Sequence, residues 1–394
     1  MMNVSVRHSR FVPQVLALLA TMALPAVATA QSADPPADPP AATQASDPPA
    51  AQPETNGFWA STELGGLIDA YYDYYSTKPD GDATYRLFDT RHNQFSLNMA
   101  ELWLSKAPTA DSRAGFRIRA TAGTAATLIN AYEPGGQDFL KNLQESYFSY
   151  LAPVGKGLTI DVGKFVTPLG AEVIEAKDNW NYSRSLLFSL AIPFYHAGVR
   201  VSYAPTDKVS VMGLVTNGWN NVAENNSGKT FGGQVSVKPT GSLSIVQNYM
   251  TGPEQADTND DWRQVSDTTI AFTASPALTL MANYDYGHDT FAGVGGHWQG
   301  LAGYAKFQAN KTIAVIPRFE WYDDDAGFTT GTPQTLKEAT VTLEAKALDN
   351  LLWRIEYRGD FSDQDVFKDN NGGFKDSQHS IGFGMLYSFS FKGK

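Results

Sequence analysis

Charged residues that alternate with apolar ones are the feature of this sequence most able to do chemistry. Ile118 lies between Arg117 and Arg119, and the order Trp-Arg-Ile-Glu-Tyr-Arg at 353–358 extends the same alternation. Residues two apart in a β-strand share a face, so these segments predict strands with one charged and one apolar face. Such a charged face binds and orients ions and polar solutes in water. The predicted charged face comprises Arg117, Arg119, Arg200, Arg318, Glu320, Arg354, Glu356 and Arg358.

A second set of charged residues lies in one long connecting segment, residues 169–194, which ends in an apolar run from Leu186 to Ile192. An apolar run exposed in a surface loop is unfavourable. We therefore expect the segment to fold inward, with its apolar part on the inner wall and its charged part narrowing a pore. The alternative is a surface loop or a capping helix. The predicted constriction residues are Glu172, Glu175, Asp178, Asn179 and Arg184.

An acidic segment that faces an arginine wall would create a transverse electric field across the opening. Such a field orders polar solutes and excludes apolar ones, which would have to displace oriented water. The alternative is that each arginine has a structural role as the partner of Glu320, Glu344 or Glu356. Both interpretations remain open at this point.

The elements that would position these residues repeat along the chain. From Thr62 onward, sixteen segments of roughly ten residues alternate apolar and polar positions, as expected for strands that cross a bilayer. They predict an all-β fold, a transmembrane antiparallel β-barrel of about 16 strands with an inward-folded third loop. An even strand number returns both termini to the periplasm. The predicted long connections are 76–93, 124–142, 169–194, 220–229, 252–262, 288–297, 323–336 and 361–378.

Both ends of the chain carry export and assembly signals. Arg7 and Arg10 precede an apolar stretch at 11–24, and Ala28-Thr29-Ala30 is a small-x-small cleavage site. We expect residues 1–30 to be a signal peptide, 31–56 a Pro/Ala-rich disordered periplasmic segment, and 57–394 the barrel. The aromatic alternation at 387–391 resembles the C-terminal signal that the barrel-assembly machinery reads.

Composition and missing motifs narrow the function classes. The net charge of −11 argues against nucleic acid, which requires clustered basic residues. The chain has no cysteine, so it has neither disulfides nor thiolate metal sites. No nucleophile-elbow or phosphate-loop pattern is present, and we predict no catalytic residues, no cofactor and no metal. The alternative for the run Asp323-Asp324-Asp325 is a site for a hard cation.

The stretch from Asp161 to Tyr203 is the most recognisable part of the chain. It contains Val162-Gly163-Lys164-Phe165, Pro168-Leu169-Gly170-Ala171-Glu172 and Pro193 to Arg200, and Asn217-Gly218-Trp219-Asn220 follows. Together with the opening at 65–72, it resembles the β-barrel porin-2 family, also called OmpL-like. The resemblance covers roughly residues 62–391 and implies a bacterial outer-membrane porin.

These observations predict a channel for passive diffusion of small hydrophilic solutes and ions, weakly cation-preferring because its outer loops are acidic. The alternatives are a substrate-specific channel, for anions such as phosphate or for sugars, and a plugged structural or adhesin barrel. The expected partners are outer-membrane lipid, lipopolysaccharide, the barrel-assembly machinery and small hydrophilic solutes, and a homotrimer is a candidate assembly. The sequence names neither the permeant solute nor the oligomeric state.

Overall fold

The computed structural model describes residues 58–131, 133 and 140–393. The predicted signal peptide and the Pro/Ala-rich segment therefore lie outside the described residues. Within the described ranges, no helix is both long and apolar enough to cross a membrane.

Sixteen antiparallel strands close into one barrel, which confirms the predicted fold class and strand number. Each barrel strand pairs with the barrel strands before and after it, and the first strand pairs with the last from Glu63 opposite Lys392 to Tyr75 opposite Ser380, which closes the circle. The barrel strands are β1 (Thr62–Tyr75), β2 (Gln94–Lys106), β3 (Ala114–Ala122), β4 (Leu143–Ala152), β5 (Leu158–Val166), β6 (Tyr195–Thr206), β7 (Val209–Thr216), β8 (Thr230–Thr240), β9 (Leu243–Pro253), β10 (Trp262–Ser275), β11 (Leu278–Phe291), β12 (Val294–Gln308), β13 (Ile313–Asp324), β14 (Gln334–Leu348), β15 (Leu351–Ser362) and β18 (Ser377–Lys392).

The two faces of the barrel wall differ in polarity in the way the alternation predicts. On β15, Trp353 and Ile355 are exposed, whereas Arg354, Glu356 and Arg358 are buried. This is the reverse of a soluble protein, in which charged side chains face solvent and apolar ones are buried. A closed barrel has only an outside and an inside, so the apolar face is the outer face and the charged face is the inner face.

Connections differ in length between the two ends of the barrel. At one end, the short-turn end, several turns have only two residues, at 207–208, 241–242, 276–277 and 349–350. At the other, the long-loop end, seven connections are longer: 76–93, 123–142, 167–194, 217–229, 254–261, 325–333 and 363–376. The last of these contains a small hairpin of β16 (Phe367–Lys368) and β17 (Phe374–Lys375).

The predicted long loop at 288–297 is wrong. Strand β11 continues to Phe291 and β12 begins at Val294, so Ala292 and Gly293 form a tight turn with positive φ angles of 50° and 77°. The glycines at 293–296 indicated a loop, but Gly295 and Gly296 pair within the ladder with Thr290 and Asp289. A glycine-rich segment can continue a strand when its backbone hydrogen bonds are satisfied.

In the part of the chain that the structure describes, helical structure is confined to short pieces outside the strands. Helix α1 spans Thr124–Ile129, and single 3-10 turns lie at Trp59–Ser61, Leu140–Asn142 and Ala176–Asp178. One π-helical turn at Leu187–Ala191 lies in the connection between β5 and β6. That connection, residues 167–194, is called the long loop below.

Candidate pore constriction

The long loop hydrogen-bonds to the inner face of β1, β3, β4, β8 and β11–β15. The backbone N–H of Ala171 donates to Asn283 Oδ1 on β11 at 3.1 Å, and Trp298 Nε1 on β12 donates to the carbonyl of Ala191 at 3.1 Å. Tyr182 donates its hydroxyl to Asp69 Oδ1 on β1 at 2.7 Å. The remaining wall contacts come from Arg119, Gln144, Gln234, Tyr304, Arg318, Thr342, Arg354, Glu356 and Arg358.

Arg318 on β13 joins the loop to two strands. Its Nη1 donates to Glu172 Oε1 at 2.9 Å and to the carbonyl of Ser183 at 2.8 Å. Its Nε donates to Glu338 Oε2 on β14 at 3.0 Å and lies 3.3 Å from Glu320 Oε1. The side chain is 0% exposed. Burial of a guanidinium costs desolvation free energy, and several anionic hydrogen-bond partners offset that cost.

Arg354 and Arg358 on β15 hold the loop through its backbone. Arg354 Nη1 donates to the carbonyls of Ala176 at 2.5 Å and Asn181 at 3.1 Å, and its Nε donates to Glu344 Oε2 at 2.9 Å. Arg358 Nη1 donates to the carbonyl of Arg184 at 2.6 Å. Carbonyls in a loop that lacks regular structure need such donors when they are buried.

Wall carboxylates satisfy the loop N–H groups in the same way. Glu320 accepts from the backbone N–H of Leu186 at 3.0 Å and of Leu187 at 3.2 Å. Glu356 accepts from the backbone N–H of Tyr182 at 2.7 Å and of Ser183 at 3.0 Å. Alternating basic and acidic wall residues therefore match the carbonyl and N–H groups of one irregular segment.

Most of the apolar run at 186–192 is buried, with Leu190 partly exposed, which accounts for its composition. Phe188 packs against Phe88 in the 76–93 loop with ring centroids 6.2 Å apart. Phe88 also lies beneath the Arg184 guanidinium, 4.7 Å from its ring centroid. The role of Phe88 was not predicted, since the sequence carries no signal that two long connections meet.

The structure does not gather the five predicted constriction residues on one face. Glu172 binds Arg318, and Glu175 pairs with Arg119 and accepts from Gln144 Nε2 at 2.6 Å. These acids touch the arginines directly, so the two pairs are salt bridges and do not face each other across a water-filled gap. Asn179 exchanges hydrogen bonds with the backbone of Val173. Arg184 is enclosed by carbonyls of its own loop. Asp178 is half-exposed beside Lys177.

Arg117 and Arg200 differ from the other wall arginines because water reaches them. Arg117 Nε donates to Glu145 Oε2 at 2.6 Å, and Arg200 Nη2 donates to Asp161 Oδ2 at 2.8 Å. Their side chains are 18% and 11% exposed. Sequence reasoning missed both acidic partners, although strand parity places each of them on the charged face.

The aspartate run at 323–325, where β13 meets the following connection, serves a local purpose. Asp324 accepts from the backbone N–H groups of Phe328, Thr329 and Thr330 at 2.8–3.0 Å. Asp325 pairs with His297 instead. Among the described residues there is no group of three or more His, Asp or Glu side chains that could hold a metal ion.

Comparison with protein families gives one match, to the family described as "Putative beta-barrel porin-2, OmpL-like", over residues 61–389. The chain belongs to this family. The family match and the closed barrel indicate an outer-membrane channel protein of bacteria. No curated protein sequence matches it.

Solved structures with a similar barrel come from several bacteria. An anion-selective porin from Comamonas acidovorans has a TM-score of 0.59 at 11% identity, covering 84% of this chain and 99% of its own. The outer membrane channel DcaP of Acinetobacter baumannii has a TM-score of 0.55 at 12% identity, covering 83% and 97%. OmpT of Vibrio cholerae in its trimer form has a TM-score of 0.58 at 10% identity, covering 83% and 99%. At these identities the likeness establishes the fold alone.

Proposed function

We propose that this protein is an outer-membrane porin through which small hydrophilic solutes and ions diffuse passively. The observation that carries the proposal is the distribution of side chains on a closed 16-strand barrel. Large apolar residues are exposed on the outer face, and charged residues line the inner face. That distribution suits hydrocarbon outside and water inside.

The orientation and processing of the chain are part of the same proposal. Strand β1 starts and β18 ends at the short-turn end, which we place in the periplasm, with the long loops outside the cell. Residues 1–30 are then a signal peptide, residues 31–56 a periplasmic segment and residues 57–394 the barrel. The long loop, bound to the inner wall, would narrow the pore at membrane depth.

The proposed partners follow from this location. The outer face would contact lipid, the long loops would contact lipopolysaccharide, and the β18 aromatic pattern would engage the barrel-assembly machinery. A homotrimer is the proposed assembly, and the trimer form of the similar Vibrio cholerae OmpT supports it.

Selectivity and openness distinguish the candidate functions. Exposed loop aspartates, among them Asp257, Asp260, Asp363 and Asp365, support weak cation preference at the entrance. A substrate-specific channel for anions or sugars is the nearest alternative. A plugged structural barrel is favoured by a specific observation, since Arg318, Arg354 and Arg358 are covered on the inner wall beneath the long loop.

The test is electrical recording of the purified mature protein in a planar bilayer under a salt gradient. A porin is expected to give stable current steps that vary linearly with voltage. The reversal potential then reports the selectivity. Silence across many insertions, in protein shown to be folded by heat-modifiable mobility, would contradict the porin proposal and favour the plugged barrel.

A further inference from the structure

Water-accessible side chains at the middle of the inner wall are concentrated on β3, β4, β6 and β7. Arg117, Tyr147, Arg200 and Met212 are partly exposed there. The corresponding positions on β13–β15 are buried under the long loop, with Arg318 as the clearest case. At this level of the barrel, the part of the inner wall that the loop leaves accessible therefore lies on one sector.

Three of these residues form a continuous surface, which we call the arginine–tyrosine strip: Arg117, Tyr147 and Arg200. Arg117 is directly opposite Tyr147 in the pairing of β3 with β4, so their side chains lie on the same face. The Arg200 guanidinium carbon lies 5.6 Å from the centroid of the Tyr147 ring.

Two glycines make this contact across β5 feasible. Gly163 on β5 is paired with both Tyr147 on β4 and Gly198 on β6, so no side chain rises between the tyrosine and β6. A Cβ at Gly163 would come within 2.2 Å of the carbonyl oxygen of Ser146. The strip therefore depends on a backbone position where no side chain fits.

The water-facing charge of the strip is positive although each arginine has a partner. The carboxylates lie behind the guanidinium groups, because the side chains of Glu145 and Asp161 are 1% and 7% exposed against 18% for Arg117 and 11% for Arg200. A passing solute meets N–H donors before it meets carboxylate oxygens. A guanidinium offers several donors in a plane and is suited to carboxylate and phosphate groups.

The long loop does not cancel this charge. Its acids Glu172 and Glu175 are bound to Arg318 and Arg119, and its third acid, Asp178, is paired with Lys177. The exposed aspartates of the outer loops are screened by salt over about 8–10 Å. The strip lies inside the barrel, where a low-dielectric wall strengthens its effect.

We propose that solutes pass along the inner face of β3–β7 and that the arginine–tyrosine strip is a binding subsite for small oxyanions bearing a carboxylate or phosphate group. The strip makes the open channel anion-preferring, in contrast to the weak cation preference drawn from the outer loops. This inference rests on the proposed porin function and deepens it by naming a solute class and the residues that select it.

Wild-type protein in a planar bilayer provides the first test. Under a potassium chloride gradient, the reversal potential is expected to favour chloride, and added inorganic phosphate is expected to reduce the chloride current. A conducting channel that favours potassium and is insensitive to phosphate would overturn the inference and leave the porin proposal intact. Absence of conductance would instead contradict the porin proposal itself.

Variants then locate the effect. The double variant Arg117→Gln/Arg200→Gln is expected to lose both the chloride preference and the phosphate sensitivity. Lys156→Gln, which removes an exposed cation at the short-turn end, is the matched control and should behave like wild type. The charge-balanced variant Arg117→Gln/Glu145→Gln should also lower the chloride preference, because the accessible guanidinium is lost while the net charge stays constant. Unchanged selectivity in that variant and in the double variant would overturn the inference.

Discussion

Arg318 on β13 and Glu172 in the long loop form an ion pair of 2.9 Å in which both side chains are buried. The pair joins residues 146 positions apart in the chain. Since Glu338 and Glu320 share the same guanidinium, this one arginine is the common ion-pair partner of carboxylates on the loop and on two strands. The position of the loop and the integrity of the wall therefore depend on the same residue.

Replacing Arg318 with Met should destabilise the barrel strongly, because three buried carboxylates would lose their shared cation. Removal of one partner of a buried ion pair typically costs about 3–5 kcal/mol. Urea unfolding of the lipid-reconstituted protein, followed by tryptophan fluorescence, would measure the loss. The exposed pair Lys156–Asp207 supplies the control, since Lys156→Met should cost less than about 1 kcal/mol. Equal midpoints for both variants would show that the Arg318 cluster contributes no net stability.

A cross-link between the loop and β11 should form without altering the channel. Natural cysteine is absent, so the variant Ala171→Cys/Asn283→Cys contains only the two introduced thiols. The Ala171 backbone and the Asn283 side chain are in hydrogen-bond contact, which places the two positions close together. We expect a reductant-sensitive shift in electrophoretic mobility and unchanged single-channel conductance. A conductance that falls on oxidation and recovers on reduction would mean that the loop moves away from β11 in the working channel.

Substituting Gly287 with Ala should loosen the loop from β12. Gly287 is paired with Trp298, and a Cβ there would lie 2.0 Å from the indole Cε2 atom. Displacing the indole would break its hydrogen bond to Ala191, and overpacking of this kind typically costs about 1–3 kcal/mol. The unfolding midpoint and the tryptophan emission spectrum would report both effects. Gly303→Ala on the same strand pair is a suitable control, because nothing lies within 4 Å of its added Cβ.

The hairpin of β16 and β17 should respond to acid. Asp369 Oδ1 accepts from the backbone N–H groups of Asn371 and Gly373, each at 2.9 Å, and these bonds lower the pKa of the carboxyl. Because the folded pKa is depressed, the turn is stabilised above the unfolded pKa of about 3.9, and the stabilisation is lost as pH falls through the folded value. The amide chemical shifts of Asn371 and Gly373 should therefore stay constant down to about pH 4 and change below it. Asp369→Asn should abolish that titration, and its persistence would assign the change to another group.

Fold class and wall composition were predictable because strand alternation is local. The parity of residues 353–358 alone assigns Arg354, Glu356 and Arg358 to the inner face, and the structure agrees. At 288–297 the glycine content favoured a loop, and that prediction was wrong. Gly295 and Gly296 form backbone pairs with the neighbouring strand, which local composition does not reveal.

The candidate constriction was less predictable because its contacts are long-range. Arg184 and Asp178 are both charged residues with polar neighbours in the same loop, yet Arg184 is enclosed by loop carbonyls and Asp178 is half-exposed. Likewise, the sequence does not indicate that Arg117 and Arg200 remain accessible while Arg318 is covered. These differences arise from the path of an irregular loop, which depends on many weak pairings across the barrel.

The unequal coverage of the inner wall has a consequence for how the protein can change over generations. Where β13–β15 hold the long loop, a substitution must preserve a partner for a buried charge, so acceptable replacements there are few. Around Tyr147 and Met212 the inner wall is accessible to water. A substitution there removes no partner of a buried charge, so its main effect is expected on solute selectivity. Related proteins can therefore differ in solute selectivity through substitutions on β3–β7, while the residues on β13–β15 that hold the long loop stay almost unchanged.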